Sequence, residues 1–139
     1  MDVRKLSDAV SVAPQLSVRE VAEAARLGFR TLINNRPDGE DFLQPSAREL
    51  EAAARELGLE YHHQPVVSGA LSERDVHAFR ELLAHAEQPV LAFCRSGTRC
   101  TMLWALAQSG SAPADAIIAA AAQAGYDVSG LRGIIERGI

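Results

Sequence analysis

Short apolar runs alternate along this chain with stretches whose apolar residues recur every three or four positions. That alternation predicts strands separated by amphipathic helices, and so an α/β fold with a mostly parallel central sheet flanked by helices. Residues 3–6 and 10–13 read as two short strands around Ser7, Asp8 and Ala9, with Pro14 ending the second. Ser17 with Glu20 forms a capping box, opening a helix with Val18, Val21, Ala22 and Ala25 on one face and Gly28 at its C-terminal end. Residues 29–34 make a compact strand, closed by the turn-rich run Asn35, Arg36, Pro37, Asp38, Gly39.

A second capping box, Ser46 with Glu49, predicts a helix with Ala47, Leu50, Ala54 and Leu57 inward, stopped by Gly58. The next strand lies within residues 59–67. Ser72 with Asp75 caps a third helix, whose Val76, Phe79 and Leu83 face the core. Pro89 precedes Val90, Leu91, Ala92 and Phe93, the uninterrupted apolar run expected of a central strand buried on both faces. A helix over 101–108 follows. Another reaches Ala124, with Pro113 in its first turn and Gly125 as its stop, and a short helix covers 129–137. No repeat, linker or low-complexity tail interrupts the pattern, so residues 1–139 read as one domain.

Composition narrows the function classes. A chain of 139 residues is long enough to fold around its own core without a staple. Its two cysteines, Cys94 and Cys100, cannot scaffold a disulfide-rich fold, and its four histidines are not spaced to complete a zinc site. A formal net charge of −4 argues against general nucleic-acid binding. The longest apolar runs, such as residues 116–122, are too short to span a membrane, and the N-terminus lacks the apolar core of a signal peptide. These features predict a cytoplasmic protein with reduced thiols, and with no metal, cofactor, membrane or nucleic-acid partner.

The chemistry concentrates in Cys94, Arg95, Ser96, Gly97, Thr98, Arg99 and Cys100, between the buried strand and a helix. Open α/β sheets bind ligands at such junctions, where backbone N–H groups and the helix N-terminus converge on an anion. Gly97 permits the positive φ of a tight curl. Arg95, Arg99 and the positive helix end favour a Cys94 thiolate, so its pKa is expected to fall. The expectation is a nucleophile, Cys94, beneath a cradle for a tetrahedral oxyanion or a sulfur anion, with Arg99 stabilising charge.

The loop C-R-S-G-T-R resembles rhodanese sulfurtransferase loops. Together with I-N-N-R-P-D-G-E at 33–40, W-A-L-A at 104–107 and V-A-P-Q at 12–15, it resembles the bacterial beta-lactamase hydrolase-like phosphatase-like family, also labelled a sulfur transferase family. The resemblance runs from the N-terminus to about Tyr126. It implies a fold like that of dual-specificity and tyrosine phosphatases. It also implies membership of a group whose domains occur alone or fused to persulfide-dioxygenase-type domains, making a sulfide-oxidation enzyme a candidate partner.

The two labels imply different reactions on a small sulfur or phosphate anion. Cysteine phosphatases generally leave five residues between cysteine and arginine, whereas four separate Cys94 from Arg99, and Cys100 takes the next position. Phosphate ester cleavage also calls for a general acid, and residues 66–70, where the phosphatase fold usually carries it, hold no carboxylate. Asp38, Glu73 and Asp75 are the substitutes, the last two better suited to a helix's first turn. Both departures favour sulfur transfer through a Cys94 persulfide over phosphomonoester hydrolysis through a phosphocysteine. A non-catalytic anion-binding or sensing module is the third class.

Lesser candidates surround the loop. Cys100 reads as a weak hydrogen-bond donor to Cys94, a resolving thiol, or packing. Asn35, Arg36 and Asp38 follow a parallel strand and share the sheet edge with Cys94, as candidate pocket residues or as self-contained turn chemistry. His62 and His63 read as structural or rim residues, and His77 and His85 as solvent-facing. Met102, Trp104 and Leu106 read as core beneath the loop.

Overall fold

The computed structural model describes residues 1–139. Its five strands are β1 (Arg4–Lys5), β2 (Val10–Ala13), β3 (Thr31–Asn34), β4 (Glu60–His63) and β5 (Val90–Phe93). They lie in the order β1-β2-β5-β3-β4, antiparallel only where the short β1 pairs with β2. The helices are α1 (Val18–Arg26), α2 (Ala47–Glu56), α3 (Glu73–His85), α4 (Thr98–Ala107), α5 (Ala114–Gln123) and α6 (Arg132–Arg137), the last preceded by a 3₁₀ turn at Ser129–Leu131. No helix is long and apolar enough to cross a membrane.

β5 is the central strand, and its side chains alternate between two cores. Val90 and Ala92 pack with Val76, Phe79, Leu103, Trp104 and Ile117 on the α3–α6 side. Leu91 and Phe93 pack with Val21, Ala24, Leu50 and Ala54 of α1 and α2 on the other. Burial on both faces explains an unbroken apolar run where a one-faced strand would alternate. The register aligns Ala13, Phe93, Asn34 and His63 at one edge, so the loops after four parallel strands open together. β3 leads to α2 on one face while its neighbour β5 leads to α4 on the other. The crevice between those diverging connections is where α/β sheets place ligands.

All three capping boxes form, at Ser17, Ser46 and Ser72. Element edges differ from the sequence expectation. Only Arg4–Lys5 of residues 3–6 are paired strand, and Pro113 caps α5 from outside its first turn, whereas β4, Glu60–His63, falls within the expected 59–67. Val18 and Leu57 are exposed rather than inward: the buried stripe of α1 runs through Val21 and Ala24, and Leu57 lies past the end of α2. The most consequential shift is α4, which begins at Thr98 and not at residue 101. Arg99 and Cys100 therefore belong to a helical first turn, because Gly97 curls the chain into the helix within three residues of Cys94.

Candidate active site

Cys94 directly follows β5, with its side chain buried at the floor of the β5–α4 loop. Gly97 has φ 91°, a left-handed conformation open to glycine at little cost, and it serves as the N-cap of α4. That curl turns its own N–H back onto Cys94 Sγ at 3.2 Å. The Cys94 thiol is pulled down to about 5, first by the facing Cys100 thiol and then by the N–H groups of Cys100, Gly97 and Ser96, against the opposing effect of burial. The sequence assigns this role to Arg95, Arg99 and the positive end of the following helix. Arg95 is instead exposed; the Cys100 thiol contributes most, and the N–H groups of the loop and of the first turn of α4 add to it. Ser96 and Thr98 are also exposed, their hydroxyls 3.0 Å apart at the rim. Cys100 is fully buried, and its thiol is pushed up by that burial and by Cys94, so it stays protonated. Both thiols are free.

Arg99 is 8% exposed, and its guanidinium has two distinct edges. Nη1 and Nη2 each donate to a Glu40 carboxylate oxygen at 2.8 Å, and Nη1 also donates to the Val66 carbonyl at 2.9 Å. The Glu40 fork holds the end of the group, leaving the Nε–H and the second Nη2–H without a protein acceptor. A fixed fork with one free edge suits bidentate binding of a tetrahedral anion.

Glu40 is the residue that sequence reasoning missed. It closes the I-N-N-R-P-D-G-E run, but its partner Arg99 lies 59 positions away and no local signal reveals the pairing. Its carboxylate also accepts from Arg36 Nε at 2.8 Å. Arg99 first, with Arg36, holds it at about 2, so it stays ionised.

The β3–α2 loop supplies the remaining frame. Arg36 is buried: Nη1 donates to Gln15 Oε1 at 3.1 Å, its carbonyl accepts from His63 Nε2 at 2.9 Å, and Nη2 has no partner. Asn35 ties strands together, its N–H to the Phe93 carbonyl and its Nδ2 to the Gln64 carbonyl. Asp38 does not face the pocket. Its carboxylate accepts from the Ala47 N–H at 2.8 Å and so caps α2. Asp75 is held by Ser72 in a capping box, Glu73 sits beside His77, and His62 pairs with Glu60. His77 and His85 are exposed. Trp104 and Leu106 are buried beneath the loop. Met102 is half-buried and lines, with Leu71, Thr98, Arg99 and Ile134, a cleft of about 360 Å³ beside it.

A cysteine at the end of a central parallel strand, a loop of inward N–H groups and a clamped arginine on the next helix define a tyrosine- and dual-specificity-phosphatase-like domain. Solved structures agree on the fold. A putative phosphatase from Neisseria meningitidis superposes with a TM-score of 0.87 at 37% identity, over 99% of this chain and 98% of that one. Tk-PTP in its active form superposes at 0.73 with 19% identity, over 98% and 95%. Residues 2–111 match the family described as the phosphatase-like domain of beta-lactamase hydrolase-like proteins, and the chain belongs to that family. The beta-lactamase hydrolase-like protein of Xylella fastidiosa (strain Temecula1) is 39% identical over 108 residues. That alignment covers 78% of this chain and 25% of that protein, so the chain spans about a quarter of the relative's length.

Proposed function

We propose that the domain is a cysteine-dependent phosphatase acting on phosphomonoesters. Cys94 thiolate attacks phosphorus, the P–O bond to the leaving group breaks, and a phosphocysteine forms. Water then attacks that intermediate, releasing phosphate and restoring the thiolate. The loop N–H groups and the free edge of Arg99 take the equatorial oxygens as charge develops on them. The observation that carries the reading is a thiol held at about 5 inside a nest of N–H donors, beside an arginine with one edge open. Membership of a phosphatase-like family supports the same order.

The proton donor narrows the substrate class. Asp38 and Asp75 serve as helix caps, Glu73 sits on α3 beside His77, and Glu40 is ionised between two arginines. Substrates whose leaving group departs without protonation are therefore favoured, namely aryl phosphates and phosphoanhydrides, over alkyl esters.

The same lack of an acid, with the four-residue spacing of Cys94 and Arg99, favours sulfur transfer as a second reading. There the thiolate takes the outer sulfur of thiosulfate and sulfite leaves, giving a Cys94 persulfide that cyanide or a thiolate then discharges. Hydrolysis of an aryl phosphate and transfer from thiosulfate to cyanide, measured side by side with Cys94→Ser as control, decide between them. Vanadate-sensitive, Cys94-dependent phosphate release is the expected result. Cys94-dependent thiocyanate formation without phosphate release would reverse the order.

A further inference from the structure

Residues 112–139 lie beyond the matched family segment, yet one of them reaches the anion loop. Tyr126, just past α5, donates its hydroxyl to the Ser96 carbonyl at 2.9 Å. That carbonyl and the Gly97 N–H belong to one peptide unit, and a trans peptide points the two in opposite directions. The N–H of this same unit is the one that donates to Cys94 Sγ at 3.2 Å. Holding the carbonyl outward therefore holds the N–H inward. The tether has a motion to prevent, because glycine's wide φ range would otherwise let this peptide rotate.

We propose that Tyr126 is a positioning residue for Cys94, its hydroxyl locking the Ser96–Gly97 peptide so that the Gly97 N–H stays aimed at the sulfur. The inference rests on the nucleophilic role proposed for Cys94. Tyr126 is itself well anchored. Its N–H donates to the Ala121 carbonyl at 2.9 Å, and the Arg4 guanidinium lies over its ring, 5.6 Å from the centroid. Arg4 Nη1 in turn donates to the Ala124 carbonyl at 2.9 Å, in space left by the missing side chain of Gly125. Packing against the loop is close: a methyl group on Gly97 would run into the Tyr126 hydroxyl. Burial raises the phenol from its ordinary value, so the hydroxyl keeps its proton through the neutral range. The titratable and charged groups around the pair are Cys100 and Arg99 beside Cys94, and Arg4 and Asp2 beside Tyr126.

Tyr126→Phe removes the hydroxyl and keeps the ring under Arg4. The readout is the rate of Cys94 alkylation by iodoacetamide against pH, resolved from Cys100 by peptide mass. The midpoint is expected to move up by about half to one pH unit. In parallel, kcat toward an aryl phosphate should fall about fivefold with KM little changed. An unmoved midpoint overturns the proposal, and a lowered Tm with an unmoved midpoint would leave Tyr126 a packing residue only. Alkylation needs no substrate. A shifted midpoint in a protein that turns over neither phosphate nor sulfur would therefore sustain the positioning role while removing the proposed function.

Discussion

Two loops meet at one sheet edge and contribute by opposite means. The β5–α4 loop is short, carries the Cys94 thiol and its N–H donors in one contiguous run, and acts through that backbone together with the Cys100 thiol that follows. The β3–α2 loop, residues 35–46, is long and acts through side chains: Glu40 clamps Arg99, Arg36 braces Glu40, and Asp38 caps α2. Backbone donors on a tight curl take their direction from the curl, here tethered at the Ser96 carbonyl by Tyr126. Side-chain clamps depend on a partner delivered by another element, so their loss leaves a buried charge exposed to its full desolvation penalty.

The sharpest break comes from Cys94→Ser, which should lower turnover by about 10³-fold or more while leaving Tm nearly unchanged. Equal loss from a change in the longer loop would erase the distinction. Glu40→Gln should do the reverse, costing about 2–4 kcal/mol by stranding Arg36 and Arg99, seen as a Tm lowered by roughly 10 °C, with about a tenfold loss in kcat/KM as Arg99 loses its aim. An unaltered melting curve would show that the clamp adds nothing to the fold.

Acid titration separates the loops in a single protein. Cys94 must be ionised to attack, so kcat/KM should rise through a midpoint near pH 5, assigned by its absence from the alkylation profile of Cys94→Ser. Glu40 is lowered to about 2 from an ordinary 4.5, so its stabilising contribution is complete above 4.5 and is lost as pH falls toward 2. Between pH 5 and 7 activity should change while the Glu40 share of stability does not, which a series of melts across that range would test. The smallest effect is Asp38→Ala, about 1 kcal/mol from the lost cap on α2 with kinetics unchanged. A drop in kcat there would return Asp38 to the pocket.

Legibility followed the reach of each interaction. Capping boxes, the unbroken apolar run of β5 and the Cys94–Gly97 curl lie within about four residues each, and so are legible in the sequence. Errors fell where periodicity gives no signal or where a partner came from elsewhere in the chain. α4 begins at Thr98 because a single left-handed glycine admits the helix early, and polar Thr98 and Arg99 carry no periodic signal of it. Asp38 and Glu40 are adjacent carboxylates on one loop, two positions apart, and only the packed fold assigns one to a helix cap and the other to an arginine.

The amino-acid order alone points to a thiol just past a strand with an unbroken apolar run, beneath a curl of N–H groups, because such a run and a glycine turn are local features of residue type. The tertiary structure decides everything that crosses the chain: which edge of Arg99 stays free, which carboxylate remains ionised, and that a tyrosine near the C-terminus steadies the loop. Those contacts span 59 and 30 residues, and their energies arise only when packing excludes water from between the partners.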